Sequence, residues 1–244
     1  MKNNYRTIIE NAKLGKKMIA VLLDPDKCVG TVFDKIQMLL DKNHPDFIFI
    51  GGSKTINSTN DLILALQHIP VPKILFPGDA SQFSPAADAV LFLSLISGRN
   101  TDYLIGQHVS SAKNIKKSAV EVIPTGYILI DGGVDTAVKR ISNTTPIAAD
   151  DIETCISTAL AGELLGLQLT YLEAGSGAAN PVSAKMIAAT KYELSHPLIV
   201  GGGIKTEQHL KSAFSAGADL AVIGNLFETQ PEKIVNFIQI TRNR

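Results

Sequence analysis

The sequence predicts a (β/α)8 TIM barrel, modified so that the third helix is missing or replaced by an extended segment. Three observations lead there. Eight short apolar runs recur at fairly even spacing: MIAVLL (18–23), DFIFI (46–50), KILF (73–76), AVLFL (89–93), YILI (127–130), QLTYLEA (168–174), PLIV (197–200) and LAVIG (220–224). Most do not alternate with polar residues, the pattern of strands buried on both faces. Helical patterns lie between them, and 244 residues is close to the usual size of this fold.

The elements follow in order. The first run leads through LLDPDK to the helical pattern TVFDKIQMLLDK, and the second through IGGSKT to TNDLILALQHI. The connection after the third run, 77–88, contains Pro77, Gly78 and Pro85 and is a poor helix. A parallel crossover normally needs about a dozen residues or more, so this is where a helix is expected to be lost. The fifth strand has a soft start within VEVIPTGYILI. Further along, DIETCISTALAGELLG, PVSAKMIAATKYEL, TEQHLKSAFSAG and PEKIVNFIQI read as helices. A doubly wound open sheet is the main rival, but no GxGxxG follows the first strand. A single domain over residues 1–244 is expected.

Composition narrows the function. The chain is 45% hydrophobic, with 23 basic residues balancing 23 acidic ones. No basic tract offsets that balance, so a nucleic-acid partner is not expected. Cys28 and Cys155 are the only cysteines, which makes neither a zinc spacing nor a disulfide framework and suits a reducing compartment. The N-terminal stretch lacks the apolar centre of a signal peptide, and no run is long enough to span a bilayer. A soluble cytoplasmic protein is expected.

In such a barrel the loops after the strands form the active face. VGGGIK (200–205) and IGN (223–225) follow the seventh and eighth strands, where barrels frequently hold a phosphate. Gly202, Gly203, Gly224 and Asn225 let backbone amides approach an anion closely; three glycines in a tight turn are the plainer explanation. In LLDPDK, Asp24 and Asp26 suit magnesium, which takes one or two carboxylates and completes its shell with ligand phosphates. A turn explains Asp26, as the start of a helix, better than it explains Asp24. Ser53, in IGGS, reads either as a metal or phosphate contact or as a helix N-cap. Asp150 and Asp151 in ADDIET read as capping residues, because Thr154 stands where a diphosphate-binding motif needs a third acid. The five histidines, His44, His68, His108, His196 and His209, share no ligand spacing.

YLEAGSG (171–177) ends the sixth strand. Tyr171 and Glu173 share one face by the period of two and are expected at the barrel mouth, with Ser176 and the glycines extending the anion-binding rim. The plainer alternative pairs Glu173 with Lys205 at the rim.

Taken together, LLDPDK, IGGS, YLEAGSG, VGGGIK and IGN, in this order, closely resemble the geranylgeranylglyceryl phosphate synthases and the related PcrB-type heptaprenylglyceryl phosphate synthases. The resemblance covers about Met18 to Asn236. It implies a barrel lacking the third helix and a prenyl transfer: a hydroxyl of sn-glycerol 1-phosphate joined to C1 of a polyprenyl diphosphate, with release of diphosphate. It further implies Mg2+ held by Asp24 and Ser53, and glycerol 1-phosphate held by Tyr171, Leu172, Glu173, Ala174, Gly175, Ser176, Gly177, Gly202, Gly203, Gly224 and Asn225. Glu173 would be the general base, and the Tyr171 ring would steady positive charge at the allylic carbon.

The tail needs an apolar trough, expected beside FPGDASQFSP and AVLFLSLIS, with Ser94 and Leu95 at its wall. The chain has no Trp, so no indole limits the tail. The N-terminal stretch and the DPDK context resemble the geranylgeranyl branch; heptaprenyl diphosphate is the alternative donor. Two other functions compete. An isomerase or lyase acting on a sugar phosphate would pair Asp131 with Glu173, and a metabolite sensor would bind without turnover. A homo-oligomer, dimer or hexamer, is expected from the habit of barrel enzymes, with apolar positions of GELLGLQ and KYELSHP facing the partner. A product lipid also implies peripheral membrane contact.

Overall fold

The apolar runs are buried on both faces over most of their length, and this accounts for the architecture. In the computed structural model, which describes residues 3–243, eight parallel strands close in chain order into one barrel. They are β1 (Met18–Leu23), β2 (Phe47–Ile50), β3 (Lys73–Leu75), β4 (Ala89–Leu95), β5 (Glu121–Leu129), β6 (Leu169–Glu173), β7 (Leu198–Gly201) and β8 (Leu220–Ile223). Residues 1, 2 and 244 of the expected single domain lie outside the described residues. Alternate side chains divide between two cores. Met18, Ala20, Phe47, Phe49, Leu91, Tyr127, Tyr171 and Ile199 fill the barrel, while Ile19, Val21, Ile48, Val90, Leu172 and Val200 meet the helices outside it.

The helices are α1 (Asn4–Lys13), α2 (Gly30–Lys42), α3 (Thr59–Ala65), α4 (Gln107–Lys116), α5 (Ala137–Ser142), α6 (Ile152–Leu164), α7 (Ala184–Glu193), α8 (Glu207–Ser215), α9 (Asn225–Thr229) and α10 (Lys233–Arg242). Side chains cap many of their starts, each satisfying a backbone N–H that the helix leaves free. Ser58 caps α3, Asp151 caps α6, Ser183 caps α7 and Thr206 caps α8. Asp151 thus fills the capping role expected of it. At α1 the amides of Asn4 and Tyr5 donate to the Glu121 carboxylate at 2.6 and 3.0 Å, and Ile8 of the same helix joins the barrel core.

Between β3 and β4 the only regular element is a 3₁₀ turn, Ala80–Gln82, so the third helix of the barrel is absent. The pyrrolidine rings of Pro77 and Pro85, and the Gly78 between them, prevent an uninterrupted helix there. Four helices lie outside the expected patterns, α1, α4, α5 and α9, and α4 is preceded by a π-helical turn, Asp102–Gly106. β5 begins at Glu121, at the early limit of the expected range. Among the described residues no helix is long and apolar enough to cross a membrane.

Candidate active site

The strand ends bring the expected residues to one face. A bowl with about 1280 Å³ of empty space opens there, lined by Asp24, Ser53, Tyr171, Glu173, Gly175, Ser176, Gly177, Gly202, Gly203, Gly224 and Asn225. Leu172 and Ala174 do not line it. Both side chains pack in the outer layer, because alternation along β6 turns them away from Tyr171 and Glu173.

Glu173 ends β6, opposite Leu129 of β5 and Gly201 of β7. It is only 5% exposed. Its Oε1 accepts the Gly175 N–H at 2.6 Å, a turn back onto its own loop. Among the described residues no ion pair joins it to Lys205, so the rim-pair alternative fails. Burial pushes the Glu173 carboxyl up to about 7. The Gly175 N–H opposes this, as does the nearby Tyr171 hydroxyl, which lies buried without a well-directed hydrogen bond of its own. A carboxylate poised near neutrality in a concave site suits a general base.

The carboxylate has no room to spare. A Cβ on Gly202 would lie 2.3 Å from Glu173 Oε1, and Gly202 sits at φ +75°. Gly202→Ala is therefore expected to lower stability by about 1–3 kcal/mol through backbone strain, read as an earlier denaturation midpoint with unchanged slope.

Across the bowl, the Asp24 Oδ1 accepts the Asp26 N–H at 3.0 Å. Its other oxygen overhangs the loop carrying Ser53, 3.0 Å from where a Cβ on Gly52 would stand. Ser58, not Ser53, caps α3, which removes the capping reading of Ser53. Asp26 starts no helix: α2 begins at Gly30, and the Asp26 carboxylate instead accepts the amides of Ile56 and Asn57. That contact straps the loop after β2 to the loop after β1.

At the third side, Ser176 Oγ donates to Asn225 Oδ1 at 2.7 Å, tying the loop after β6 to the one after β8. Lys27 adds a cation there, 3.2 Å from Glu228 and 3.8 Å from Asp24. Burial raises the Glu228 carboxyl, and Lys27 opposes the rise. Neither Lys27 nor Glu228 had an assigned role, although DPDK and IGNLFE at strand ends were the signals that could have found them. Asp131 is exposed and accepts the Gly133 N–H, so it does not face Glu173.

A second cavity adjoins the bowl where the third helix is absent. This groove, with about 870 Å³ of empty space, is bounded by Phe83, Leu93, Leu95, Tyr103, His108 and Ile115, among others. It shares Ser53, Phe76 and Tyr127 with the bowl. The rings of Phe76, Tyr127 and Tyr171 pack there with centroids 5.3–5.9 Å apart. Tyr127 and Tyr171 both have hydroxyls pushed well above the usual tyrosine range by burial and by the charge of Glu173. Leu95 lines the groove as expected. Ser94 does not, because its hydroxyl is spent on the Leu104 carbonyl at 2.8 Å.

Fold and site together define a (β/α)8 barrel with a buried carboxylate among glycine turns, open on one side to an apolar groove. The sequence matches the PcrB family over residues 12–242, and the chain belongs to that family. It is 49% identical over 227 residues to the geranylgeranylglyceryl phosphate synthase of Flavobacterium johnsoniae, covering 92% of this chain and 93% of that one. It is 37% identical over 218 residues to the synthase of the same name from Thermococcus kodakarensis, covering 87% and 85%. The crystal structure of (S)-3-O-geranylgeranylglyceryl phosphate synthase from Thermoplasma acidophilum, in complex with its substrate sn-glycerol-1-phosphate, superposes with a TM-score of 0.91 at 31% identity over the whole of both chains.

Proposed function

We propose that the protein transfers a geranylgeranyl group from its diphosphate to a hydroxyl of sn-glycerol 1-phosphate, forming an ether and releasing diphosphate. One observation carries this reading: a bowl of glycine turns around a buried carboxylate opens directly into an apolar groove, and the two share an aromatic junction. An anionic acceptor and a long apolar donor need that pair of environments side by side. The names of the relatives support the same reaction.

Each side chain has a step. The turns at Ser176–Gly177, Gly202–Gly203 and Gly224–Asn225 hold the acceptor phosphate, which fixes its hydroxyl near Glu173. Glu173 takes the hydroxyl proton as that oxygen attacks C1 of the donor. The bond from C1 to the diphosphate oxygen breaks, and the electron pair leaves with diphosphate. Phe76, Tyr127 and Tyr171 present ring faces to the positive charge that develops at C1.

Asp24 and Ser53 would hold magnesium. One carboxylate and one hydroxyl over an open bowl fit this ion, which keeps several waters and takes the rest of its shell from substrate phosphates. Among the described residues no cluster of three or more His, Cys, Asp or Glu offers a closed alternative. When bound, the ion would offset the charge of the departing diphosphate.

The test is direct. Labelled glycerol 1-phosphate, geranylgeranyl diphosphate and Mg2+ should yield label in an organic extract. No transfer with any prenyl length would end this reading, and binding without transfer would favour a sensor. In the same assay Asp24→Asn is expected to raise the magnesium requirement tenfold or more, with the affinity for glycerol 1-phosphate unchanged.

The setting belongs to the same proposal. The two cysteines are buried and unpaired, in keeping with a cytoplasmic protein. Leu164, Leu165 and Tyr192 are largely exposed on α6, α7 and their flanks, which supports a homo-oligomer with this face covered. An insoluble product supports peripheral contact with a membrane.

A further inference from the structure

Gln82 is 2% exposed and lines neither the bowl nor the groove, yet it is bonded to the loop that bears Ser53. Its Oε1 accepts the Gly52 N–H at 3.2 Å, and its Nε2 donates to the Gly52 carbonyl at 2.7 Å. One side-chain amide thus satisfies both polar groups of one residue, as a neighbouring strand would. Gln82 is itself pinned, because its carbonyl accepts the buried Thr59 hydroxyl at 2.8 Å.

The loop is gripped from the same side by Gly78. A Cβ there would lie 2.3 Å from the Gly52 carbonyl oxygen and 2.5 Å from that of Ser53, so backbone meets backbone with no space between. Opposite, the Asp24 carboxylate stands over Gly52. Gln82 and Gly78 belong to the short segment that replaces the third helix. A missing helix would leave the loop after β2 without a buttress, and the Gln82 amide supplies one.

We infer that Gln82 is the positioning residue of the diphosphate site: it clamps Gly52 so that Ser53 and Asp24 stay at the separation needed to hold magnesium diphosphate. This rests on the transfer reaction proposed above. Gln82 touches no substrate; it acts through the Gly52 peptide. Outer partners of this kind typically contribute about 10–100-fold in metal affinity.

Calorimetry with inorganic diphosphate and Mg2+, and separately with glycerol 1-phosphate, tests the assignment. Gln82→Met keeps the length and removes both hydrogen bonds. It is expected to bind magnesium diphosphate about 10–100-fold more weakly, while glycerol 1-phosphate affinity stays within about twofold. Gln82→Glu guards against a variant that does not fold. Its protonated acid can still accept from and donate to Gly52, whereas its carboxylate can only accept. Burial at this 2% exposed position, against the Gly52 carbonyl, raises the pKa of such an acid above the ordinary carboxylate range, so its affinity for magnesium diphosphate relative to wild type should be nearer one at pH 5.5 than at pH 8. Unchanged diphosphate affinity in Gln82→Met, equal loss of both ligands, or a pH-independent ratio in Gln82→Glu would each overturn the inference. Wild-type protein that binds no magnesium diphosphate would instead overturn the reaction on which it rests.

Discussion

Glu173→Gln should remove prenyl transfer and at the same time make the protein more stable above neutral pH. The first effect follows from losing the base that accepts the hydroxyl proton, a step worth about 10²–10⁴ in rate. The second follows from linkage. Burial holds the folded-state pKa at about 7, against 4.5 for the free group. Ionising Glu173 is therefore harder in the folded chain. Below about pH 4.5 the group is protonated in both states and costs nothing. Between about pH 4.5 and 7 the unfolded chain ionises while the folded one keeps its proton, so stability falls across that window and levels off above it, where the folded protein carries a buried charge. The full penalty above that window is at most about 3 kcal/mol. A neutral Gln, still able to accept the Gly175 N–H, escapes it. Thermal melts of the two proteins should diverge far more at pH 8 than at pH 5. For the wild type, kcat/KM should rise with pH toward a plateau above about 7, because the free enzyme needs the carboxylate form. Equal melts at pH 8, or retained turnover, would return Glu173 to a structural role.

Ser111→Trp should shorten the donor that the protein accepts. Ser111 lies on α4 and faces the groove one turn beyond Gln107, with His108 and Ile115 on the same side. An indole there fills space that the far end of a geranylgeranyl chain would occupy. Each buried CH2 is worth about 0.8 kcal/mol, so excluding one five-carbon unit should lower kcat/KM for the twenty-carbon donor by a hundredfold or more. A ten-carbon donor, whose tail ends nearer the mouth, should keep its turnover within a few fold. Leu95→Trp, at the wall of the same groove, should act in the same direction. Loss of both donors equally would mean that the groove is not the path of the tail.

Much of this site was legible in the chain. YLEAGSG, VGGGIK and IGN stand at strand ends, and a barrel puts all strand ends on one face. Their distance in sequence therefore did not hide their closeness in space. Asp151 could be read as a cap because capping is local. Ser53 could be read as a cap because the start of the next helix, which Ser58 caps, is settled only by the path of the loop. Leu172 and Ala174 were carried along with the motif, although strand alternation points them outward. The helix α4 went unread because its groove-facing side carries His108 and Ser111 instead of an apolar stripe, so the 3.6-residue period is faint.

By itself the sequence determined the number and order of the strands, the place of the missing helix, and the strand-end chemistry of glycine turns and Glu173. These rest on periodicity, on proline's missing donor and on glycine's missing side chain, all properties of a few adjacent residues. Only the tertiary structure decided that the bowl and the groove meet at Phe76, Tyr127 and Tyr171, and that Gln82 grips Gly52 from across a gap of 30 residues. It alone decided that Glu173 is buried enough to hold its proton near neutrality. Burial and reach are sums over many distant neighbours, and no short stretch of chain contains them.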